Sequence, residues 1–424
     1  MVNIADKFVD YLFEKAEAIN DKIINKANDC RRDYMAVAEA GAVKNKTKWE
    51  KMFSCLPGGK TSVIGTGIKT DAKTAALING FNAHSLELDD GHRFAMIHLG
   101  ASIISAINAA RDEICFLDNS CLKGIVLGYE AACRVAIAMQ PSHKKRGYHT
   151  AGTCGTIGGA VGVAFALGMD KKQLKKVLTA AAGSSAGMLE IQEQDSEMKP
   201  YNIGRAAMDG LAAAYMGYAS FGTPDDMLGG ERGFFKMFSD SFDEGNLLSK
   251  QEYFEIERIY VKPYASCRHS HSAVEAAIIL GKKTDASRIA NVTVKTYSLG
   301  IKGHDHKEIK SVASAKLSTP YAVAAALIYG RADLMVFEPL DSSIIELAQK
   351  VHVVEDKEMT AECPAKRIAE VTVELTDGTT LAERVDYAKG EPENPMTEED
   401  LNKKIDALFQ FVGGTTKNNE GYLK

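Results

Sequence analysis

The chain has 424 residues, 45% of them hydrophobic and 25% charged, with a formal net charge of -5. Such a length exceeds one ordinary core and predicts two domains. The small, dispersed charge excludes a basic nucleic-acid surface, and the lysines at 171, 172, 175 and 176 read as a solvated helix face.

The eight cysteines are scattered and include no C-x-x-C pair. That pattern fits neither a zinc site, an iron–sulfur cluster nor a disulfide framework, and predicts mostly free buried thiols. The glycine-rich apolar stretch Ile157–Met169 is too short to span a bilayer. The opening residues pass directly into an amphipathic pattern, so the simple expectation is a cytoplasmic protein without membrane contact.

In chain order, residues 1 to about 260 read as helix after helix. Phe8, Tyr11, Leu12 and Ala16 recur at helical spacing. The alanine-rich run 75–110 is interrupted by a polar insert, Glu87–His98. Further helices are predicted over 121–140 and 173–189. The pattern changes near Lys262-Pro263. After a helix over 272–281, Ile289–Tyr297 alternates as a strand and Val351–Val354 is a shorter one. Ile368–Leu375 and Thr379–Val385, joined at Asp377-Gly378, read as a hairpin. Helices at 320–329 and 343–349 lie between the strands. A breaker-rich linker, 390–395, leads to a last helix, 397–411, with Thr397 as its N-cap. The predicted fold class is mainly α: a large all-α domain over 1–262, to which 396–424 return, and a smaller α+β lid over 263–395.

Four segments could carry chemistry. The first runs from His84 through Glu87, Asp89, Asp90, His92 and Arg93 to His98. Acids and imidazoles placed between apolar flanks are costly unless paired or used. The bland reading is an ion-pair network; the density of ionisable groups favours a site. The second is Gly147–Gly155, with His149 just before a small-residue helix whose free N–H groups suit a carboxylate. Its glycines also suit tight helix packing. The third is Met198–Ala207, where Lys199 offers a cation or a desolvated base and Arg205 a bidentate carboxylate clamp. The fourth is Lys262–His271, with Arg268, His269 and His271 at the domain junction, where clefts form. Zinc is a weak rival there, since histidines at i and i+2 lack a companion motif. His304 and His306, in a Gly-His-Asp-His-Lys loop, are expected at the surface. Tyr321 could be core or face the cleft.

Taken in order, these segments resemble the MmgE/PrpD family. The matching stretches are Asn79–His84 with Leu88-Asp89-Asp90, Gly147–Thr153, Lys199 with Gly204-Arg205-Ala206-Ala207, Gly230–Gly233, and Lys262-Pro263-Tyr264 with Cys267-Arg268-His269. Asp33-Tyr34 and Pro392–Met396 also fit, so the resemblance covers nearly the whole chain. It implies a helical domain, a lid, a site between them, usually a homodimer, and chemistry without a metal or other cofactor. Carried over by position, the site would use His98, His149, Lys199, the lid's His271 and Tyr321. Two positions depart from the family pattern: Glu87 stands where it has an aspartate, and Gly91 where a threonine is common.

Family activities include 2-methylcitrate dehydratases, cis-aconitate decarboxylases and iminodisuccinate epimerases. All can pass through negative charge beside a carboxylate. On this reading Lys199, Arg205 and Arg268 hold carboxylates of a small polycarboxylate, and Glu87, Asp90 and His269 help bind it. His149 is the chief base or acid. A metal-independent hydro-lyase is favoured, with decarboxylase and epimerase as alternatives. A non-catalytic dicarboxylate-binding protein is the alternative of another class.

Overall fold

A computed structural model describes residues 3–193, 196–219 and 221–413. The helical part consists of α1 (Ile4–Glu17), α2 (Asp21–Phe53), α3 (Ala72–His84), α4 (Gly100–Ile114), α5 (Asp118–Met139), α6 (Thr150–Ala166), α7 (Lys171–Ser184) and α8 (Lys199–Tyr218). Local chemistry sets several starts: Asn3, Asn20, Asp71 and Asp170 each accept a hydrogen bond from a backbone N–H in the first turn. Asp170 and Gln173 complete a capping box.

α6 is buried on nearly every side, packed against α4, α5, α7 and α8. Its small residues permit this, because a glycine lets a neighbouring backbone approach where a side chain would stand. Several short elements escape the sequence reading, a hairpin in the helical part among them. Thr61–Val63 (β1) and Ile68–Thr70 (β2) form a hairpin, and three-residue strands are too brief to display alternation.

The second part holds α9 (His271–Gly281), β3 (Ile289–Thr296), α10 (Thr319–Tyr329), β4 (Val351–Glu355), β5 (Ala369–Leu375), β6 (Thr380–Val385) and α11 (Glu398–Phe411). The sheet order is β4-β3-β5-β6, with β4 parallel to β3 and the other neighbours antiparallel. Val292 lies opposite both Val351 and Val373, stacking β-branched residues through the sheet interior. Gly378, at φ +85°, makes the tight turn between β5 and β6. α9 and α10 pack on the sheet and on each other. The architecture is therefore mainly α with a smaller α+β part.

Thr397 caps α11, which packs on α2. Its Leu401, Ile405 and Leu408 share a core with the sheet, with Ala36, Val37 and Ala40 of α2, and with Leu86 and Leu88. A larger core joins α1 and the helices around α6. The polar insert between α3 and α4 lies where these two cores meet. No helix among the described residues is long and apolar enough to cross a membrane.

The contact of α3 with α8 sets the floor under that insert. A Cβ on Gly204 would stand 2.3 Å from the Leu77 carbonyl oxygen, and one on Gly80 2.9 Å from the Gly204 Cα. Gly204→Ala is expected to overpack this crossing and cost about 1–3 kcal/mol; the denaturant midpoint, compared with wild type, checks it.

Candidate active site

The insert is held by its own acids. Asp90 accepts from the backbone N–H of Leu99 (3.3 Å) and Gly100 (2.9 Å) and from the Tyr129 hydroxyl (2.5 Å), so it caps α4 and anchors the loop. Asp89 sits between two imidazoles: its Oδ2 is 2.7 Å from His84 Nδ1 and 3.3 Å from His98 Nδ1. Glu87 adopts a left-handed backbone, φ +55°, which is uncommon for a side-chain-bearing residue. Its carboxylate takes the ammonium groups of Lys199 and of Lys262, the latter at 2.9 Å. Lys262 is fully buried and also lies 3.5 Å from Asp89 Oδ1.

Burial alone would raise both acids. The ammonium groups of Lys199 and Lys262 outweigh it at Glu87, and the imidazoles of His84 and His98, with Lys262, outweigh it at Asp89, so each acid is held well below its usual range. Burial would lower Lys262, but Glu87 and Asp89 keep it charged and raise it.

Two histidines of this wall face a cavity of about 430 Å³. His98 directs Nδ1 at the Asp90 carbonyl oxygen, 2.9 Å away, and at Asp89. Carbonyl and carboxylate accept only, so Nδ1 carries the proton and Nε2 is an open acceptor. His149, the residue before α6, is arranged oppositely. Asn202 Nδ2 donates to the Met188 carbonyl oxygen and to His149 Nδ1, both at 3.1 Å. The carbonyl fixes the amide's orientation, so Nδ1 accepts and Nε2 carries the proton. Burial, followed by Lys199 and the neighbouring imidazoles, pushes His149 well below its usual range; burial also lowers His98, against Asp89. The cavity thus meets one neutral imidazole as an acceptor and another as a donor.

The cavity is also lined by Cys267, Arg268, His269, His304 and Arg367, with Lys144 and Lys199. His269 Nδ1 lies 2.7 Å from the Tyr297 hydroxyl, and burial lowers its pKa. The guanidinium groups of Arg268 and Arg367 lie over the Tyr260 ring at 4.9 and 5.4 Å. Arg268 also pairs with Glu391 (2.5 Å), a carboxylate shared with Arg93.

Of the ten residues to which the sequence gives a catalytic or substrate-binding role, His98, His149, Lys199, Glu87, Arg268 and His269 line one cavity, and four do not. Asp90 serves α4. Arg205 is spent on Asp209 (2.7 Å) and the Ala186 carbonyl oxygen (2.6 Å). His271 is buried against Tyr264, with Nε2 on the Ser266 carbonyl oxygen (3.1 Å). Tyr321 packs on Phe337 within the lid core. Asp90 lies in the loop before α4, and for Arg205, His271 and Tyr321 helical spacing does not say which neighbours each side chain meets. His304 and His306, expected at the surface, both line the cavity. Lys144, Lys262 and Arg367 were missed as site residues; the Lys-Pro-Tyr motif was the one available signal, for Lys262.

His84, Asp89 and His98 bring one potential ligand atom each within 4.8 Å of one another, a spacing that could hold a divalent ion. The donor chemistry does not fit. Both Nδ1 atoms are turned to acceptors, and the Lys262 ammonium already supplies the cation beside Asp89.

The model of the MmgE/PrpD N-terminal domain matches residues 3–245, and that of the C-terminal domain residues 264–421. The chain belongs to the MmgE/PrpD family. Similar proteins include a cis-aconitate decarboxylase of Aspergillus terreus, 24% identical over 95% of this chain and 88% of its own length. A cis-aconitate decarboxylase-like protein, oryM, of Aspergillus oryzae is 26% identical over 97% and 91%. The Homo sapiens cis-aconitate decarboxylase is 22% identical over 93% and 85%.

Within this MmgE/PrpD site, Gly91 has a physical reason. It pairs with Tyr260 in a backbone bridge, and a Cβ there would stand 2.4 Å from the Tyr260 hydroxyl oxygen. The phenol fills the volume that a threonine side chain would need, so the cavity wall here is aromatic.

His98, His149, His269 and His271 are all lowered from an ordinary value of 6.5, each chiefly by burial. As pH falls through 6.5 the unfolded chain takes up protons that these folded imidazoles refuse, so stability present above that pH is lost below it. The melting temperature is expected to fall by several degrees between about pH 7.5 and about pH 5.5, read by circular dichroism; an unchanged value would mean that the imidazoles accept protons in place.

Proposed function

We propose that this protein is a lyase acting next to a carboxylate of a small polycarboxylic acid, through a carbanion formed beside that carboxylate. The observation that carries the reading is the pair of complementary imidazoles, the His98 acceptor and the His149 donor, in a cavity also lined by Lys144, Lys199, Arg268 and Arg367.

The cations suit a multiply charged anion. A neutral His98 Nε2 can take a proton from the carbon next to a carboxylate. The His149 N–H can donate to the carboxylate oxygen on which charge then gathers, as Lys199 does electrostatically. Asp89, behind His98, stabilises the imidazolium that forms. Loss of hydroxide from the next carbon completes elimination, and the departing oxygen needs a proton. Lys144 lines the same cavity as a candidate donor, and burial followed by Arg367 lowers its pKa from the ordinary lysine value.

Starting from an unprotonated His98 favours the hydro-lyase order of events. The names of the relatives favour a second reading, decarboxylation of an unsaturated tricarboxylate. There carbon dioxide leaves first and a protonated group quenches the carbanion, which the same cations stabilise. Glu87, held by two ammonium groups, positions Lys199 rather than meeting substrate.

Proton NMR in D₂O with citrate, 2-methylcitrate, cis-aconitate and substituted succinates separates these. A new vinylic signal with loss of substrate marks a hydro-lyase, and carbon dioxide release a decarboxylase. Deuterium uptake at a CH without a new product marks an epimerase. On whichever acid turns over, His98→Gln is expected to lower kcat by about 10²–10⁴ with the fold retained. No conversion of any acid would favour a binding protein instead. Separately, nitrogen-15 spectra are expected to show His149 as the Nε2–H tautomer. In Asn202→Asp the carboxylate should draw the proton to Nδ1, and an unchanged tautomer would refute the assigned role of Asn202.

A further inference from the structure

Cys267 and His304 have no part in the chemistry above, yet they form a built pair on the cavity wall. The thiol sulfur lies 3.8 Å from His304 Nε2. His304 Nδ1 is 3.0 Å from the Leu317 carbonyl oxygen, which accepts only; Nδ1 therefore donates and Nε2 is turned to the sulfur. The Cys267 backbone N–H donates to the Lys316 carbonyl oxygen at 2.7 Å, fixing the sulfur's origin. This is the nucleophile–base–orienter geometry that activates a thiol.

A second observation points to what would approach it. Arg268, adjacent in the chain and only 6% exposed, lines the cavity with Nε and Nη1 lacking a hydrogen-bond partner. The Arg367 side chain, which lines the same cavity, makes no ion pair or hydrogen bond among the described residues; Nε and Nη1 are likewise unpartnered. Unsatisfied guanidinium nitrogens in the cavity that the thiol lines favour a carboxylate.

We infer that Cys267, paired with His304, is a covalent modification site for soft electrophiles that carry a carboxylate, such as the α,β-unsaturated acids a lyase makes or consumes. In the addition, the thiolate pair forms an S–C bond at the β carbon. The π pair moves to the α carbon, which takes the proton from the His304 imidazolium. One C–S and one C–H bond form, one π bond breaks, and nothing is oxidised or reduced. The adduct occupies the cavity and blocks it.

The electrostatics agree with the geometry. Burial would raise the thiol, but His304 brings it to about 6; burial would lower His304, but the thiolate raises it to about 9. Glu87, Lys199, Lys144 and Tyr297 also face the sulfur and set its surroundings. Cys55 and Cys115 are exposed and serve as internal references.

The test alkylates the full chain briefly near pH 7 with iodoacetate or with iodoacetamide and reads each cysteine by peptide mass spectrometry. Because the readout is an adduct mass and not turnover, it is independent of the reaction proposed above. With iodoacetate, Cys267 is expected to be carboxymethylated before Cys55 and Cys115. Its preference for the anionic over the neutral reagent should exceed that of Cys55 by about tenfold. Arg367→Gln should bring that preference toward the reference value, and His304→Gln should slow the reaction and move its pH midpoint upward. A Cys267 no faster than Cys55, or one that favours the neutral reagent, would overturn the inference, as would unchanged kinetics in a folded His304→Gln protein.

Discussion

The buried charge network around Glu87 and Asp89 is the constraint on which the site depends. Two carboxylates removed from water would be prohibitive alone. Here two ammonium groups and two imidazoles surround them, and the partners come from distant segments: Lys199 from the start of α8, Lys262 from the junction between the two parts, His84 from the end of α3, and His98 from just before α4. Removing one partner leaves a buried charge uncompensated, so the network ties the helical part to the start of the lid. It also spends Glu87 and Asp89 on holding other groups.

This arrangement determines which groups remain available. Asp89 and the Asp90 carbonyl accept the hydrogen bond from His98 Nδ1–H, and Asn202 donates one to His149 Nδ1. Identical side chains become an acceptor and a donor through the atom each meets behind it. The geometry divides donor from acceptor without requiring widely separated pKa values, since burial lowers both rings. The uncommitted Arg367 lines the same cavity.

Much of the architecture was legible because its signals are local. Helical spacing, the Thr397 cap, and the alternation of Ile289–Thr296 and Ala369–Leu375 correspond to the elements formed. Ionisable residues between apolar flanks marked the insert, and two of them, Glu87 and His98, line the cavity. The misassigned residues share a different cause. Arg205 and Tyr321 lie in segments with the right chemistry, but which neighbour each meets depends on the rotation of its helix against others. Arg205 finds Asp209 one turn along, and Tyr321 finds Phe337. His304 seemed exposed because its loop is polar and rich in turn residues, yet the loop folds over the cavity.

By itself, then, the sequence determined the order and type of the main elements, the division into a helical and an α+β part, and the family. Those follow from periodicity, caps and motif order, which depend on neighbours a few residues apart. Tertiary structure alone decided which cations share a carboxylate, which imidazole nitrogen keeps its proton, and that Cys267 meets His304. Each of these is set by an angle and a distance of a few ångströms between segments far apart in the chain, and spacing along the chain does not encode them.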